Sequence, residues 1–282
     1  WYDINVTDGS DNPLPFWVEN NTQTATNATV WVKVPTIAID NSSGLKWRYG
    51  NASQSASTMN GYNTFLLFDD FSSNTLNSSQ FLVNTHAPTI SGGIIRSNTS
   101  SGISSINSIN KFSYNTSVMM RAAMYSSVGY ASNFGNSYDT YPLDILGQAA
   151  IQFRGASTQV LTQSYNIYYK WDLCRNGSTN SLLYVDNSLT KTDSRNQNEQ
   201  KNVTFYAGTG DHSNWSVDWV AVRNFVGIDP TTSLYSTSGG ATGVPIVAAF
   251  SASANPSVVN TAVSFTDAST GTPTTWNWTI DG

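Results

Sequence analysis

The chain has 282 residues, of which 11% are charged, and its 13 basic and 18 acidic side chains give a formal net charge of -5 at pH 7. This length allows one large domain or two to three smaller ones, each with its own core. No run of Lys or Arg occurs, so nucleic acid is not an expected partner, because its binding depends on such charges. No stretch approaches the roughly 20 apolar residues that cross a bilayer, so we expect no membrane insertion within these residues.

The polar residues predict an exported glycoprotein. Ser, Thr and Asn fill most polar positions, which is typical of extracellular or cell-surface all-β proteins. The sequence also predicts covalent N-glycans, because N-x-Ser/Thr acceptor patterns recur along the chain. The acceptors are Asn5, Asn20, Asn27, Asn41, Asn51, Asn77, Asn98, Asn115, Asn176, Asn202, Asn214 and Asn277. The single Cys174 cannot form a disulfide within the chain and is predicted to be a small buried side chain.

Residues 1–67 predict a small β-domain. Val30, Val32 and Val34 fall on one face of a strand whose other face carries Trp31. Pattern and composition predict further strands at 44–49 and 64–68.

Strand and turn signals recur over residues 68–228 and predict a two-sheet β-sandwich without helices. Asp186-Asn187 is predicted to form a hairpin tip. The strands are expected at 90–95, 117–124, 149–153, 165–173, 182–185, 202–206 and 216–223. Simple alternation in the last of them places Val217, Trp219, Ala221 and Arg223 on one face and Asp218, Val220 and Val222 on the other.

The C-terminal part begins with a change of composition. Residues 229–244 have the composition of a flexible linker. Residues 245–282 are predicted to be a partial domain with three short strands, at 246–251, 262–266 and 275–280, which are too few to close a sandwich.

Short stretches in the first part of the chain resemble a known module. They are Leu14-Pro15-Phe16-Trp17-Val18-Glu19, Thr29-Val30-Trp31-Val32-Lys33-Val34-Pro35, Tyr49-Gly50-Asn51 and Phe68-Asp69-Asp70-Phe71. In order and spacing they resemble an uncharacterised β-domain that often precedes a concanavalin-A-like domain. That family extends upstream of the part that matches Trp1, so the resemblance implies that its N-terminal strands are missing here.

The rest of the chain resembles two further modules. Residues 68–228 are similar to concanavalin-A-like (laminin-G-like) jelly rolls, whose last strand resembles Val217-Asp218-Trp219-Val220-Ala221-Val222-Arg223. Residues 245–282 look like the front half of a polycystic-kidney-disease-type (PKD) immunoglobulin-like domain. This likeness is carried by Phe250, Phe265-Thr266-Asp267 and Thr274-Thr275-Trp276-Asn277-Trp278, although Ile280-Asp281 replaces the usual Phe-Gly pair.

Together these resemblances imply an all-β protein with three modules in series: a small β-domain, a jelly-roll sandwich and a partial Ig-like β-sandwich. In such families the modules are adhesive or spacer units of large surface glycoproteins, including those of methanogenic archaea. Most of them have no known activity.

The sequence predicts that the chain is not an enzyme. A retaining glycosidase needs two carboxylates about 5 Å apart, usually from two glutamates on one strand. Glu19 and Glu199 are the only glutamates, and they lie in different predicted modules. Asp69 and Asp70 are adjacent, so on a strand they point to opposite faces. HExxH and GxSxG motifs are also absent from the sequence, so no catalytic residue is assigned.

Calcium is the one cofactor that the resemblance suggests. Concanavalin-A-like domains often hold it between the first and last strands with carboxylates and backbone carbonyls, and Asp70 and Asp218 match those positions. The alternative is a solvated or hydrogen-bonded pair of aspartates.

The best candidate for ligand binding is the stretch from residue 124 to 141. Aromatic rings stack on sugars, while amides and carboxylates bind sugar hydroxyls. The same mixture also occurs in ordinary packed loops and in subunit contacts. The residues assigned to this site are Tyr125, Tyr130, Asn133, Tyr138, Asp139 and Tyr141.

Two hypotheses about function emerge. The first is a structural or adhesive subunit of a surface layer, sheath or filament, which associates with itself or with other surface proteins through sheet edges and aromatic loops. The alternative is a carbohydrate-binding module of a larger surface protein, with a polysaccharide as its partner.

Overall fold

The computed structural model divides the chain into two compact units, Trp1–Asp229 and Pro230–Gly282. It describes residues 4–19, 28–37, 44–48, 59–97, 103–125, 132–136, 143–147, 150–155, 157–177, 180–194, 199–208, 215–225, 227, 250–252 and 265–269. Among these residues, no helix has the length and apolar character to cross a membrane.

The elements are almost all strands. In chain order they are β1 (Asn5–Asp8), β2 (Phe16–Val18), β3 (Val30–Val32), β4 (Leu45–Arg48), α1 (Gly61–Thr64), β5 (Leu67–Asp69), β6 (Phe81–Thr85), β7 (Thr89–Ser91), β8 (Ile94–Arg96), β9 (Ser104–Phe112), β10 (Thr116–Met124), β11 (Ser132–Asn136), β12 (Leu143–Gly147), β13 (Ile151–Arg154), β14 (Thr158–Val160), β15 (Tyr169–Asn176), β16 (Asn180–Val185), β17 (Ser188–Asp193), β18 (Lys201–Ala207), β19 (Trp215–Asn224), β20 (Phe250–Ala252) and β21 (Phe265–Asp267). The fold is therefore all-β, as the sequence predicts.

Two antiparallel sheets form a jelly-roll β-sandwich in the first unit. Sheet 1 has the order β17-β16-β15-β10-β19-β8-β7, and β5 also pairs with β19. Sheet 2 has the order β14-β13-β12-β11-β18-β9-β6. Strands distant in sequence lie side by side in both sheets, which is why patterns along the chain cannot give this order.

The core lies between the two sheets. Alternate residues of β10 point into it, among them Val118 and Met120, and β18 contributes Phe205 from the opposite sheet. Trp171 and Trp215 are the largest side chains of this core and are fully buried. Burial of each such side chain contributes roughly 1.5–3 kcal/mol, so the sandwich has a core large enough to hold it together without a disulfide.

Strand β19 differs from the predicted alternation. Val217 and Val220 both point into the core, although simple alternation places them on opposite faces. The pairing with β10 explains this. Arg121 of β10 pairs with Trp219, but the next residue, Ala122, pairs with Val217, so Asp218 has no partner on β10. This bulge inserts Asp218 as an extra residue. Val217 is therefore on the other side of the sheet from Trp219.

The start of β15 also differs from the prediction, which began this strand at residue 165. It begins at Tyr169 instead. Asn166 has a φ of 64° and its N–H donates to the Met124 carbonyl at 2.7 Å, so the preceding segment is a turn held against the end of β10. Asp186-Asn187 does form the predicted hairpin tip, with φ values of 48° and 66°. Such positive values at both central positions suit the right-handed twist of a hairpin.

The described residues of the N-terminal segment, 4–19, 28–37, 44–48 and 59–64, pack on the outer face of sheet 1, the face turned away from the core. The predicted valine face of β3 is confirmed, because Val30 and Val32 pack with Phe16 in a small core of this segment. Trp17 points the opposite way and lies 5.2 Å from Trp219 between ring centroids. The segment therefore has two apolar faces, and one of them covers part of sheet 1.

A buried ion pair joins the segment to the sheet. Lys170 Nζ lies 2.9 Å from Glu19 Oε2, and these side chains are only 7% and 1% exposed. Trp31 donates its ring N–H to the same carboxylate at 3.1 Å, and its ring lies 4.8 Å from Lys170 Nζ. Two charges removed from water need such partners, because an unpaired one costs several kcal/mol.

In the second unit, β20 and β21 form an antiparallel pair with Phe250 opposite Asp267. The strand predicted at 275–280 and the motif at 274–278 lie outside the described residues. The PKD-type domain and the boundaries 229–244 and 245–282 stay predictions.

Candidate functional site

Beyond the N-terminal segment, the outer face of sheet 1 carries a group of polar and aromatic side chains. On β10, Met119 is covered by the segment, whereas the next outward residue, Arg121, is 28% exposed. Arg121 donates to Asp218 Oδ2 at 2.7 Å. The bulge in β19 makes this ion pair possible, because it brings Asp218 to the outer face.

Two tyrosines meet beside this pair on the hydroxyl of Ser216. Tyr168 Oη lies 2.6 Å from Ser216 Oγ, and Tyr125 Oη lies 3.1 Å from the same atom. The Tyr168 ring also lies 4.7 Å from the guanidinium carbon of Arg121, in a cation–π contact. Burial raises the pKa of the Tyr168 hydroxyl, so this group stays protonated and can donate.

Arg96 completes the group from β8. Its backbone is opposite Ser216 in the pairing of β8 with β19. Within the part of the chain that the structure describes, its guanidinium makes only long contacts, 3.4 Å each, to the carbonyl and hydroxyl of Ser91. We call the whole group the tyrosine patch: Arg96, Arg121, Tyr125, Tyr168, Ser216 and Asp218.

Sequence reasoning identified only part of this patch. Tyr125 was assigned to a sugar site and Asp218 to a calcium site, and the structure brings the two onto one face. Arg121 is the signal that was missed, since it is the one charged residue of β10. Tyr168 was assigned to a strand, and its sequence neighbours do not indicate a binding residue. Its position depends on the turn at Asn166, which was not predicted from the sequence.

The other residues assigned to sugar binding are not described with side chains. Tyr130, Tyr138, Asp139 and Tyr141 lie outside the described residues. For Asn133 the structure describes the backbone, which pairs with Leu146 in sheet 2. These assignments therefore stay predictions.

The predicted calcium ligands have other partners. Asp218 is bound to Arg121, and Asp70 Oδ1 accepts from the N–H and the hydroxyl of Ser72 at 3.1 and 2.7 Å. A guanidinium on the carboxylate does not suit a shared divalent cation. Within the described ranges, no three His, Cys, Asp or Glu residues converge as metal ligands. Calcium therefore stays a prediction.

The described glycan acceptors differ in their surroundings. Asn115 is exposed and uses its carbonyl oxygen to accept from Gly177 N at 2.8 Å. Asn202 instead donates its amide nitrogen, the atom that would carry a glycan, to the Ser108 carbonyl at 2.6 Å. Asn5, Asn77 and Asn176 are half-buried, and the acceptors at 20, 27, 41, 51, 98, 214 and 277 lie outside the described residues. N-glycosylation stays a prediction.

Cys174 and Asp69 are buried titratable groups outside the patch. Cys174 is fully buried on β15, as predicted, and burial raises the pKa of its thiol. Burial likewise raises the pKa of Asp69 to about 6, and this effect outweighs the hydrogen bond that its carboxylate accepts from Phe71 N–H at 2.8 Å.

A family model for a domain of unknown function, DUF2341, matches residues 1–84. The match includes the segment that resembles an uncharacterised β-domain and continues into β5 and β6, which belong to the sandwich. No curated protein matches the chain.

Solved structures with a similar fold include proteins that act on polysaccharides. One is a β-1,3-1,4-glucanase (lichenase) derived from a mouse hindgut metagenome, with 13% identity, a TM-score of 0.46 and coverage of 56% of this chain and 99% of that one. Another, from a study of endo-acting O-glycanases of the human gut microbiota, has 13% identity, a TM-score of 0.45 and coverage of 57% and 99%. A third is a pseudo β-1,3-glucanase of Mycobacterium tuberculosis, with 11% identity, a TM-score of 0.43 and coverage of 57% and 98%.

These matches contradict the prediction that the chain is not an enzyme. Glucanases are among them, and so is a pseudo-glucanase. The argument from the two glutamates excluded one arrangement of carboxylates only. It did not exclude enzymes as a class.

Proposed function

We propose that the chain is a carbohydrate-binding module of a larger extracellular surface protein, and that the tyrosine patch is its binding site. The observation that carries this proposal is the convergence of Tyr125 and Tyr168 on Ser216 beside the Arg121–Asp218 ion pair. The patch thus combines aromatic rings with hydrogen-bond donors and acceptors, which is the usual composition of a sugar site.

Each part of the patch suits a sugar. Tyr168 is half-exposed, so its ring can stack on the apolar face of a pyranose. Arg121 and Asp218 are 28% and 24% exposed, and they offer donors and acceptors to adjacent sugar hydroxyls. Because each already has a partner, neither has to be ordered when the ligand arrives.

The surroundings hold the patch in place. Arg121 lies opposite Lys170 in the pairing of β10 with β15, and Lys170 is fixed by Glu19 from the N-terminal segment. Strands β8, β10 and β19 are adjacent in sheet 1. A site built on paired strands loses little conformational entropy on binding.

The test is binding of the purified chain to an array of neutral and acidic polysaccharides, followed by calorimetry with the best ligand. We expect saturable binding that Tyr168→Ala weakens by roughly ten- to a hundredfold, since stacking on an aromatic side chain contributes about 1–3 kcal/mol. Tyr168→Phe keeps the ring and loses only the hydroxyl, so its effect should be smaller.

Tyr114→Ala is the matched control. Tyr114 is 43% exposed and precedes β10 at the end opposite to the patch. Equal binding by the wild type and Tyr168→Ala, or an equal loss in Tyr114→Ala, would contradict the assignment of the site.

A structural role through self-association is a second proposal, supported by the edge of sheet 2. Among the described strands, β6 has a neighbour, β9, on one side only. Its Leu82 and Val83 are 58% and 39% exposed, and Phe81–Thr85 contains no charged residue. Edge strands are normally protected by charges, prolines or bulges. The pairing of β6 with β9 shifts its register between Val83 and Thr85, but residues 81–83 precede this irregularity and contain neither a charge nor a proline. A strand from a second copy is therefore a suitable partner for residues 81–83.

Sedimentation and electron microscopy of the native material test this second proposal. We expect assemblies that Leu82→Lys disrupts, whereas Ile37→Lys, which changes a similarly exposed residue in the N-terminal segment, leaves them intact. Monodisperse monomers at all concentrations would end the proposal.

A further inference from the structure

The charges of the tyrosine patch do not balance. It contains two guanidinium groups, those of Arg96 and Arg121, and one carboxylate, that of Asp218. Arg121 is paired with Asp218, whereas Arg96 has no carboxylate within ion-pair distance among the described residues. The patch therefore has a net positive charge in a chain whose formal net charge is -5.

The other cations on this face of sheet 1 are neutralised. Lys170 is paired with Glu19 at 2.9 Å, and Arg223 with Asp172 at 2.9 Å. Both pairs lie where the N-terminal segment packs, since the guanidinium of Arg223 is 5.5 Å from the ring centre of Trp31. Of the described cations on this face, Arg96 is thus the one that is left for a ligand.

Arg96 is placed so that one ligand can reach it and the tyrosines together. It lies directly opposite Ser216, the residue on which both tyrosine hydroxyls converge. Its positive charge also acts on the Tyr168 hydroxyl, where it opposes the rise in pKa caused by burial. A sugar that stacks on Tyr168 is therefore within electrostatic reach of this guanidinium.

We propose that the ligand of the tyrosine patch is an acidic polysaccharide and that Arg96 binds the carboxylate of a uronic acid residue. Arginine presents a planar pair of N–H donors that matches a carboxylate in geometry and charge. This inference rests on the proposed carbohydrate-binding function. It adds the class of ligand and a residue that determines specificity.

The experiment compares acidic polysaccharides with their own neutral forms. Polygalacturonate, alginate and hyaluronate are each assayed by calorimetry beside a carboxyl-reduced sample of the same chain. We expect at least one acidic form to bind roughly five- to tenfold more tightly than its reduced form at low salt, which corresponds to one partly exposed charged hydrogen bond. This preference should shrink as salt screens the contact.

Two substitutions test the acidic ligand and the sugar site separately. Arg96→Gln should abolish the preference, so that this variant binds the acidic and the reduced form with equal affinity, whereas Tyr168→Ala should weaken binding of both forms and keep the preference. Arg48→Gln is the matched control, because Arg48 is an exposed arginine of the N-terminal segment that pairs with Asp11. Thermal unfolding of each variant shows that a lost preference is not lost folding.

The two failures are distinguishable. If the reduced forms bind as tightly as the acidic ones, the acidic ligand is wrong. If Arg96→Gln keeps the preference, the role assigned to Arg96 is wrong. In either case the sugar site stands. Preference for dextran sulfate over every carboxylated chain would likewise overturn the uronic acid. If neither these chains nor the array of neutral and acidic polysaccharides shows binding, the proposed function itself fails.

Discussion

Asp69 ends β5 with a carboxyl group that is almost entirely shielded from water. Asp69 is 1% exposed, and burial raises the pKa of its carboxyl group to about 6, with a smaller contribution from the neighbouring Asp70 carboxylate. In the unfolded chain the ordinary value is near 4. The folded protein therefore binds this proton more tightly than the unfolded chain does, and folding stability falls as pH rises between these two values.

The first prediction concerns this pH dependence. Asp69→Asn keeps an oxygen for Phe71 N–H and removes the buried charge. We expect the variant to be more stable than the wild type above pH 6, by at most about 3 kcal/mol for a shift of two pKa units, and this advantage to vanish near pH 4. Urea unfolding at pH 4, 5, 6 and 7 measures it.

The control for this prediction is Asp70→Asn. Asp70 is half-exposed and adjacent in sequence. The same change at Asp70 should therefore leave most of the decrease in the free energy of unfolding between pH 4 and 6. A wild-type stability that is flat over that range would show that Asp69 does not titrate as described.

Glu19 and Lys170 give the second prediction at this scale. Glu19→Gln leaves the buried ammonium without its carboxylate and should lower the free energy of unfolding by about 3–5 kcal/mol. Lys170→Met should cost a similar amount. The double variant removes both charges of this pair, so we expect it to lose less than the sum of the two, and a thermodynamic cycle of the four proteins measures the difference. Strict additivity would contradict the direct pairing.

At the scale of elements, α1 is positioned by a glycine. A Cβ added at Gly61 would lie 2.3 Å from the ring of Phe68 on β5. That ring packs against Trp17 at 5.0 Å and so belongs to the contact between the N-terminal segment and sheet 1. The close approach of helix and strand therefore requires a residue without a side chain.

The third prediction concerns this contact. Gly61→Ala forces the Phe68 ring to move and should destabilise the protein by about 1–3 kcal/mol, the usual cost of overpacking. Gly9→Ala is the control, because its nearest neighbour would be 3.8 Å away. Thermal unfolding compares the two, and equal melting temperatures would show that the Phe68 ring adapts without cost.

At the scale of the whole molecule, every member of the four apolar clusters lies in the first unit, Trp1–Asp229. The fourth prediction is that a chain ending at Asp229 folds and unfolds in one cooperative transition. Deletion of residues 1–59 should instead expose Met119 and Trp219 and leave Lys170 without Glu19. We expect that shorter chain to aggregate or melt at a lower temperature, as calorimetry and light scattering would show. A deletion variant that melts like the longer chain would contradict the role of this contact.

The sequence by itself determined those features that depend on neighbours along the chain. Alternation at Val30 and Val32 gave the buried face of β3, because side chains alternate across any strand. Asp186-Asn187 gave a hairpin tip, because these residues tolerate positive φ values. The resemblance to a β-domain followed by a jelly roll needed only the order and spacing of motifs.

Only the tertiary structure decided the features that depend on strands distant in sequence. The bulge at Asp218 arises from the pairing of β19 with β10, and it reversed the predicted face of Val217. The tyrosine patch needs β8, β10, β15 and β19 side by side, and the Glu19–Lys170 pair spans 151 residues. The physical reason is that a local pattern records which face of a strand is apolar, whereas sheet order and register decide which polar side chains meet on the other face.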